Sequence, residues 1–600
     1  MLKSAKSGAL DIENFEDVLI SVAVTVDGET AYVLDCRSTE PIYEARQLSA
    51  VGVQLRRVPW IMHNGAYDYG FMRSKGVELN LAHDTMALAY LLNQSDPRAK
   101  TSRKGLEHLA VTILGEKPWK DVDYKRILDE PFEKVAAMNG RDAIFAYRLY
   151  APLMARVEAN AQLHMIYKWV LMPAVRQLVL VTENGVPVDE DNLATLTKEL
   201  EEEQAGLLKW LQANTPEPKA EKFPKGWPKH KQLGTAFNPG SPAQVAHILF
   251  DIRRLRPPVE TATGRPSTNN DSLLQLALAE PDEWIDQLLA YRKVTTALNS
   301  FLLKWPGMLD EGGRLHPRYK PLHVVTGRLS SEEPNIQNVP RDKRFRDCFG
   351  TPALSWVKAD YSQIELRLAA WLAGEPRMLE AYRTGQDLHA LTARLVLGDE
   401  SPDARHVGKT LNFALLYGAG PKTLQRIARV NYDLNLSLPE AKRHSKAFHA
   451  AYPELGEWHQ RMTRRIVADG ISVSPLGRIR QLPEAKWYRH EDEELRKAGW
   501  HAVAEGINHP VQGFASDLLL VAMLRVARIV DKYGASIVCE VHDELDCLCP
   551  PENVEPFARE VKTIMEDASW LSNFGVSLGV PLVADVSAGS HWGSQTPVSI

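Results

Sequence analysis

Residues 356–367 read WVKADYSQIELR and place Asp360 between a short apolar run and an amphipathic segment. The apolar run predicts a β-strand, and the spacing of apolar residues from Ile364 to Leu372 predicts a helix. An aspartate at the end of a strand, just before a helix, is a common position for a metal ligand. This stretch therefore predicts a sheet with a metal-binding carboxylate at the end of one strand.

A second aspartate lies at the tip of an apolar hairpin in residues 537–548, IVCEVHDELDCL. The apolar arms flank the acidic tip residues Asp543 and Glu544, which have no structural reason to stand there. Two aspartates from separate strands, Asp360 and Asp543, can bridge two Mg²⁺ ions that activate a primer 3′-hydroxyl and stabilise a pyrophosphate leaving group. The pair therefore predicts nucleotidyl transfer.

A cationic and aromatic helix face follows in residues 405–418, RHVGKTLNFALLYG. Arg405, Lys409, Phe413 and Tyr417 recur every four residues, so they lie along one helical face with a drift of about 40° per step. Such a face would meet phosphates first and the plane of a base afterwards. The alternative is a surface cation pair beside two half-buried aromatic side chains.

The first 150 residues alternate strand-like and helix-like stretches and predict an α/β domain. Four carboxylates in this domain could hold two Mg²⁺ ions about 4 Å apart and activate a water molecule against a phosphodiester. They are Asp11 and Glu13 on one strand face, Asp68 after an apolar run, and Asp142 at a helix. A D-x-E pair alone is more typical of a solvated surface pair, so the prediction depends on the whole set.

Composition limits the class of protein. The chain has 600 residues, of which 44% are hydrophobic and 24% are charged; this excludes disorder and fibrous repeats. The net charge of −5 lacks the basic signature that is typical of nucleic-acid binders. Residues 314–350, however, hold eight Lys or Arg against four acids. DNA would therefore have to bind in a confined groove rather than on the whole surface.

Cysteine usage and hydropathy predict a cytoplasmic protein. The five cysteines show neither zinc-ligand spacing nor a disulfide framework, which suits a reducing compartment. No apolar run approaches the ~18 residues of a membrane span, because Arg176 and Arg525 interrupt the two best candidates. We also expect no secretory signal, since the first twelve residues contain no apolar core.

Four segments, in this order, resemble the motifs of family A DNA polymerases, the bacterial polymerase I and phage replicative group. They are TGRLSS with PNIQN (326–338), DYSQIELR (360–367), RHVGKTLNFALLYG (405–418) and VHDE (541–544). The four N-terminal carboxylates are similar to the metal ligands of DEDD-type 3′–5′ exonucleases. The resemblance implies an α/β and α+β multidomain fold, in which an RNase H-like exonuclease domain precedes a right-hand polymerase.

The resemblance also implies the domain bounds. They are an exonuclease-like domain at 1–160, a mostly helical thumb at 161–315, a palm at 316–375 and 501–600, and fingers at 376–500. An exposed loop at about 214–240 belongs to the thumb, and its lysines fit either a solvated linker or a tip that contacts DNA or a partner. Because the exonuclease motif starts at Asp11, we expect no 5′-nuclease domain, as in phage-type replicative enzymes.

The resemblance assigns roles residue by residue. Asp360 and Asp543 would be the catalytic metal ligands with Glu544 as a supporting carboxylate, and Asp11, Glu13, Asp68 and Asp142 would be the exonuclease ligands. Residues implied to bind the nucleotide are Arg405, Lys409, Phe413, Tyr417, His389, Gln363 and Glu365, and those implied to bind DNA are Arg328, Asn338, Asn508, Gln512 and His542. Lys409 would give a proton to pyrophosphate. Glu365 would fill the space that a ribose 2′-hydroxyl needs, and Phe413 implies discrimination against dideoxynucleotides.

Two positions depart from the family patterns. Met138 stands where the exonuclease family has a tyrosine that orients the attacking water, and Ala504 stands where the polymerase family often has an arginine. We expect a monomeric, template-directed DNA polymerase with a proofreading exonuclease, which uses Mg²⁺, primer-template DNA and deoxynucleoside triphosphates. A processivity factor, a helicase or a primase would be further partners. The alternatives are a 3′–5′ exonuclease with a vestigial polymerase core and a non-catalytic primer-template binding protein.

Overall fold

The structure is a computed structural model that describes residues 2, 5–37, 52–92, 104–215, 237–261, 264–279, 281–432 and 434–600. Most of the loop predicted at about 214–240 lies outside the described residues. Two five-stranded sheets organise the described chain, one near each end of the sequence.

The N-terminal sheet has the order β3-β2-β1-β4-β5. Its strands are β1 (Gly8–Phe15), β2 (Val18–Thr25), β3 (Tyr32–Asp35), β4 (Pro59–Met62) and β5 (Asn80–Asp84), and its helices are Gly65–Ser74, Thr85–Leu92, Leu106–Leu109 and Phe132–Glu158, with shorter turns at Ala110–Leu114 and Tyr124–Arg126. Strand β1 runs antiparallel to β2 and parallel to β4. Because β1 is central and buried from Gly8 to Glu13, its two acidic side chains lie inside the domain.

A continuous helical stretch, made of Ala161–Ile166, Tyr167–Leu171 and Met172–Asn184, follows this domain. Contrary to the sequence expectation, this stretch is long and apolar enough to cross a membrane. It is however a packed element, since just over half of its most apolar part is buried. Arg176 donates to the Leu81 carbonyl of the first sheet at 3.0 Å, and Asn184 donates to the Ile537 carbonyl of the second at 2.8 Å. The stretch therefore connects the two sheets.

The next region is mostly helical and has a hydrophobic core of its own. Its helices are Glu190–Asn214, Pro242–Ala246, Asn270–Ala279 and Glu283–Ala297, with π-helical turns at His247–Ile252 and Leu298–Leu302 and a 3₁₀ turn at Trp305–Met308. Leu211, Ile248 and Trp284 belong to a buried cluster that is separate from the main core. This end of the helical region therefore packs independently of both sheets.

The second large sheet is antiparallel, with the order β13-β14-β10-β15-β16. The remaining strands are β6 (Val186–Pro187), β7 (Arg314–Leu315), β8 (Arg318–Lys320), β9 (Ser330–Glu332), β10 (Ser355–Tyr361), β11 (Ile471–Val473), β12 (Ile479–Gln481), β13 (Ser536–Val541), β14 (Glu544–Cys549), β15 (Ala584–Gly589) and β16 (Gln595–Pro597). The pairs β6-β7, β8-β9 and β11-β12 form two-stranded sheets. The strand expected before Asp360 and the hairpin expected around Asp543 are both confirmed, as β10 and as β13 with β14.

Several helices follow strand β9 in the sequence, and two of them, Glu493–Val526 and Val554–Glu566, pack against this sheet. The helices after β9 are Lys343–Arg346, Ile364–Ala373, Pro376–Arg383, Leu388–Leu397, Pro402–Leu415, Pro421–Tyr432, Leu438–Ala451, Pro453–Asp469, Glu493–Val526, Val530–Tyr533 and Val554–Glu566, with 3₁₀ turns at Ile336–Asn338, Pro483–Trp487, Pro551–Asn553 and Ser569–Phe574. The Ile364–Ala373 helix confirms the amphipathic helix expected after Asp360. Side chains cap several of these helices; Asp387, for example, accepts from the His389 N–H at 2.8 Å.

Candidate active site

Asp360 and Asp543 lie close together, where strand β10 ends beside the β13–β14 turn. In the register of β10 and β14, Asp360 is opposite Glu544, and the Tyr361 N–H donates to the Asp543 carbonyl at 3.1 Å. His542 in the turn has a φ of 63°, and this left-handed conformation lets the chain reverse within two residues. The hairpin therefore places Asp543 beside the end of β10.

The electrostatics of this sheet edge favour a bound cation. Burial, and then the carboxylates of Asp543 and Glu544, raise the pKa of Asp360 to about 7. Burial, and then Glu365, raise the pKa of Asp543 above its usual value. The buried Oδ1 of Asp360 has no hydrogen-bond partner among the described residues. Crowded carboxylate oxygens with an unsatisfied buried atom fit a divalent cation, which would offset their repulsion.

Glu544 differs from the two aspartates because cations already surround it. The Trp592 indole N–H donates to its Oε1 at 2.6 Å, Arg346 Nη1 lies 3.2 Å from the same oxygen, and Lys358 Nζ lies 3.6 Å from Oε2. Burial would raise the pKa of Glu544, but Arg346 and Lys358 hold it below its usual value. Glu544 is therefore a fixed anion next to the pair of aspartates.

Glu365 joins three segments that are far apart in the sequence. Its Oε1 accepts from Arg328 Nη2, and its Oε2 accepts from the Tyr417 hydroxyl. Burial, and then Glu365, raise the pKa of Tyr417, so this hydroxyl keeps its proton and remains a donor. Gln363, which precedes the helix of Glu365, accepts from the Tyr382 hydroxyl at 3.2 Å. The structure thus brings together at one carboxylate residues that the sequence assigned to DNA binding and to nucleotide binding.

The Pro402–Leu415 helix carries the predicted cationic end of the helix face. Arg405 Nε donates to Asp387 Oδ2 at 2.6 Å, which ties this helix to the cap of the Leu388–Leu397 helix. Lys409, one turn later, is exposed. A fixed guanidinium and an exposed ammonium on one face suit the binding of a polyphosphate.

The aromatic end of the same face includes a histidine from the neighbouring helix. The Phe413 ring lies 5.8 Å from the His389 ring, and the Asn412 amide donates to His389 Nδ1 at 2.9 Å. Burial lowers the pKa of His389 to about 4, so its ring is neutral at pH 7. Because Nδ1 accepts a hydrogen bond, the ring carries its proton on Nε2, where it can be donated to a ligand.

The predicted DNA contacts lie on several elements. Asn338 and His542 are exposed, whereas Asn508 and Gln512 are half-buried on the Glu493–Val526 helix, where Asn508 Oδ1 is buried without a partner in the described part of the chain. This helix passes directly against the segment that carries Arg328, since Ser516 Oγ donates to the Gly327 carbonyl at 2.6 Å. Arg328 and the two amides therefore belong to adjoining surfaces.

A buried ion pair lies against the turn that precedes Arg328, and it was not predicted from the sequence. Arg478 and Asp517 are joined by Nε–Oδ1 and Nη2–Oδ1 bonds of 2.8 and 2.7 Å, with only 1% and 0% of their side chains exposed. Any Cβ at Gly327 would lie 3.2 Å from the Arg478 guanidinium carbon. The pair therefore supports the turn before Arg328, and the sequence signal for it was only a weak motif match at Arg478.

The N-terminal domain holds a second carboxylate cluster. Oxygens of Asp11, Glu13 and Asp142 all lie within 4.8 Å of one another, and the Ile12 N–H donates to Asp68 Oδ1 at 3.2 Å, which places Asp68 beside them. Burial, and then Asp142, raise the pKa of Asp11 well above its usual value and that of Glu13 to about 8. Burial raises the pKa of Asp68 to about 7. The cluster thus consists of hard donors that fit divalent cations.

Residues 119–124 cover this cluster and were not anticipated. The Trp119 indole N–H donates to Asp142 Oδ1 at 2.6 Å, and Lys120 Nζ lies 2.7 Å from Asp142 Oδ2. Burial lowers the pKa of Lys120, but the Asp142 carboxylate raises it by more, so the pKa lies above its usual value. The Tyr124 hydroxyl donates to Met138 Sδ at 3.6 Å, so a phenol lies near the position where the sequence lacks the family tyrosine. The Lys120 ammonium would therefore share the Asp142 carboxylate with any metal ion bound at this cluster.

The two sheets, with the carboxylates at their edges and the helices between them, have the architecture of a right-hand polymerase that follows an RNase H-like domain. Residues 226–594 match the family model for DNA polymerase family A, and the chain belongs to this family. The predicted family and fold class are thereby confirmed. The domain bounds and the roles of the site residues stay predictions.

Several bacterial proteins named DNA polymerase I are similar to this chain. The protein of Synechocystis sp. is 30% identical over 89% of this chain and 53% of its own length, and the thermostable enzyme of Thermus aquaticus is 30% identical over 86% and 56%. That of Aquifex aeolicus is 27% identical over 97% and 95%. The chain thus spans about half the length of the first two relatives.

One solved structure covers nearly the whole chain. It is the POL domain of Pol1 from M. smegmatis in complex with DNA primer-template and dNTP, with a TM-score of 0.79 and 23% identity over 99% of this chain and 97% of that one. At this identity the match establishes the fold, which extends through both sheets and the helical region between them.

Proposed function

We propose that this chain is a template-directed DNA polymerase that extends a primer 3′-hydroxyl with deoxynucleoside triphosphates. The observation that carries the proposal is the convergence at Glu365, which binds Arg328 and Tyr417 and acts electrostatically on Asp543. A contact for the primer terminus, the nucleotide-binding helix and the metal-binding sheet edge would thus share one cleft. The relatives named DNA polymerase I support the same activity.

Asp360 and Asp543 are the proposed ligands of two Mg²⁺ ions. When bound, such ions lower the pKa of the attacking 3′-hydroxyl and offset the charge of the triphosphate. Glu544, which Arg346 and Lys358 keep anionic, would add negative potential beside the two aspartates.

The helix face and its neighbours would bind the incoming nucleotide. Arg405 and His389 Nε2 contact the phosphates, and Lys409 gives a proton to the departing pyrophosphate, for which an exposed ammonium with transferable protons is suited. Phe413 stacks on the nucleotide, and Tyr417 and Gln363 border the base and the sugar.

Glu365 would exclude ribonucleotides by occupying the space of the 2′-hydroxyl. Glu365→Ala should therefore raise the rate of ribonucleotide insertion relative to deoxynucleotide insertion. Glu365→Gln keeps the volume and serves as the matched control, so equal ribonucleotide insertion by the two variants would contradict the assignment.

Primer-template DNA is the proposed partner, bound through Arg328, Asn338, Asn508, Gln512 and His542. Because the basic stretch 314–350 would contribute phosphate contacts, binding should weaken steeply with salt. We propose that the chain acts as a monomer in the cytoplasm, where its five buried cysteines would stay reduced.

Primer extension with Mg²⁺ and the four deoxynucleotides tests the polymerase. Asp360→Ala should abolish extension, whereas alanine at the exposed Asp271 should leave it unchanged. Extension by Asp360→Ala would remove these metal ligands from the mechanism. A wild-type protein that binds primer-template without extending it would favour the non-catalytic alternative.

We propose 3′–5′ exonuclease activity as a second function, because three carboxylates of the N-terminal cluster lie within 4.8 Å. A 3′-labelled mismatched primer, incubated with Mg²⁺ and no nucleotides, should be degraded by the wild type and not by Asp11→Ala. Degradation that survives this substitution would refute the site. Degradation without any primer extension would favour the alternative of a nuclease with a vestigial polymerase core.

A further inference from the structure

Both oxygens of the Asp142 carboxylate accept from one short segment of the chain. The Trp119 indole N–H donates to Oδ1 at 2.6 Å, and Lys120 Nζ lies 2.7 Å from Oδ2. Because a lysine side chain is charged at neutral pH, the second contact places a cation inside a cluster of acidic groups. Burial and neighbouring acids raise the pKa of Asp11 and Glu13, and the ammonium partly offsets that rise, so its charge reaches both.

The backbone that carries Lys120 is anchored, so the position of the ammonium is a property of the fold. The Glu107 carboxylate accepts from the N–H groups of Trp119 and Lys120 at 3.0 and 3.2 Å. Trp119 is only 5% exposed, and its ring lies 4.4 Å from the Phe145 ring. Lys120 therefore differs from a surface lysine that meets an acid on a flexible side of the molecule.

The remaining carboxylates offer enough oxygens for one divalent ion. Asp11 Oδ2 accepts from the Asn139 amide at 2.7 Å, and Asp68 Oδ1 accepts from the Ile12 N–H at 3.2 Å. Each of these bonds uses one oxygen of the aspartate, so the second oxygen can still bind a cation. Oxygens of Asp11 and Glu13 lie within 4.8 Å of each other. Few carboxylates suffice for Mg²⁺, because it keeps several water ligands.

We propose that the N-terminal cluster takes one divalent cation, on Asp11, Glu13 and Asp68, and that the Lys120 ammonium stands in place of a second metal ion. The inference rests on the proposed exonuclease function. Two metal ions would have to share the Asp142 oxygen that the ammonium already contacts, whereas one ion and the ammonium can occupy the cluster together.

The role of the ammonium follows from where charge develops during hydrolysis. Water adds its hydroxyl group to phosphorus and its proton to the 3′ oxygen that leaves, so atoms and charges balance. Negative charge grows on the phosphate oxygens and on the leaving oxygen in the transition state, and a compact cation at a fixed position stabilises it. Lys120→Met should therefore slow degradation of a mismatched primer about 100- to 1,000-fold. Lys120→Arg keeps the charge and should retain more of the rate.

The decisive test counts Mn²⁺ ions on the full chain by electron paramagnetic resonance, in a background that carries Asp360→Ala. Ions that remain after a further Asp11→Ala substitution are bound elsewhere and are subtracted. With Lys120 present the cluster should hold one ion, and Lys120→Met should hold two, because a metal ion then takes the vacated position. Lys117→Met, at an exposed lysine of the same segment, is the matched control and should hold one.

The dependence of the degradation rate on Mn²⁺ gives a second readout. Below saturation the rate should rise with the first power of the concentration when Lys120 is present and with the second power in Lys120→Met. Two ions in the presence of Lys120, or the same count in Lys120→Met, would overturn the proposal. Two ions with normal degradation would remove this role of Lys120 alone, and a cluster that binds no ion would remove the exonuclease as well. One ion without degradation would remove the exonuclease function and leave the assignment of Lys120.

Discussion

Replacing one partner of the Arg478–Asp517 pair should be among the most destabilising changes in this protein. Both side chains are buried, and a two-pronged set of bonds from Arg478 satisfies Asp517. Arg478→Met or Asp517→Leu leaves the other charge buried and uncompensated, which costs about 3–5 kcal/mol of unfolding free energy. The double variant removes both charges, so it should recover most of that loss.

Equilibrium urea unfolding of the four proteins gives the coupling energy between the two sites. Arg559→Met is the matched control, because Arg559 forms an exposed pair with Glu555 that should contribute less than about 1 kcal/mol. Since the pair supports the turn at Gly327, the single variants should also bind primer-template more weakly than the control. Additive losses in the double variant would refute the reasoning that an uncompensated buried charge causes the effect.

Three further predictions concern other charged and aromatic groups. Burial raises the pKa of Glu540 from 4.5 to about 8, so the folded protein keeps a proton that the unfolded chain releases. The contribution of this proton to stability should be complete below about pH 4.5 and fall by up to about 1.4 kcal/mol per pH unit as pH rises to about 8. Glu540→Gln should remove this part of the pH dependence in urea unfolding at several pH values. Lys120→Met, in a background that carries Asp360→Ala, should bind Mn²⁺ roughly tenfold more tightly in calorimetry, because the ammonium no longer competes for the N-terminal cluster; unchanged affinity would show that it does not compete. Phe413→Tyr should raise the ratio of dideoxynucleotide to deoxynucleotide insertion in single-turnover assays, and an unchanged ratio would refute the stacking role of Phe413.

Local patterns in the sequence were sufficient for the strands and turns that carry the aspartates. Asp360 follows a short apolar run and Asp543 interrupts an apolar hairpin, so backbone periodicity and one anomalous charge mark both positions. The helix face from Arg405 is readable for the same reason, because four-residue spacing is a property of the helix itself.

Partners that meet only through packing could not be read in this way. Lys120 reaches Asp142 from a separate segment, and Arg478 meets Asp517 across 39 positions. Neither pair has a periodic signal, since the distance between the partners depends on how helices and sheets pack together. The apolar helical stretch at 161–184 is a case in which a local pattern is misleading. Its hydropathy resembles that of a membrane span, and only its neighbours in the fold show that it is a core helix.

Two residues beside Asp360 and Asp543 have backbone conformations that glycine adopts more easily. Gln363 has a φ of 53° three residues after Asp360, and His542 has a φ of 63° immediately before Asp543. A left-handed conformation of a non-glycine residue costs of order 1–3 kcal/mol. Under selection for thermal stability alone, both codons should drift towards glycine. If the chain is selected for the proposed DNA synthesis, the retention of glutamine and histidine at these positions would show that their side chains contribute more to function than a relaxed backbone contributes to stability.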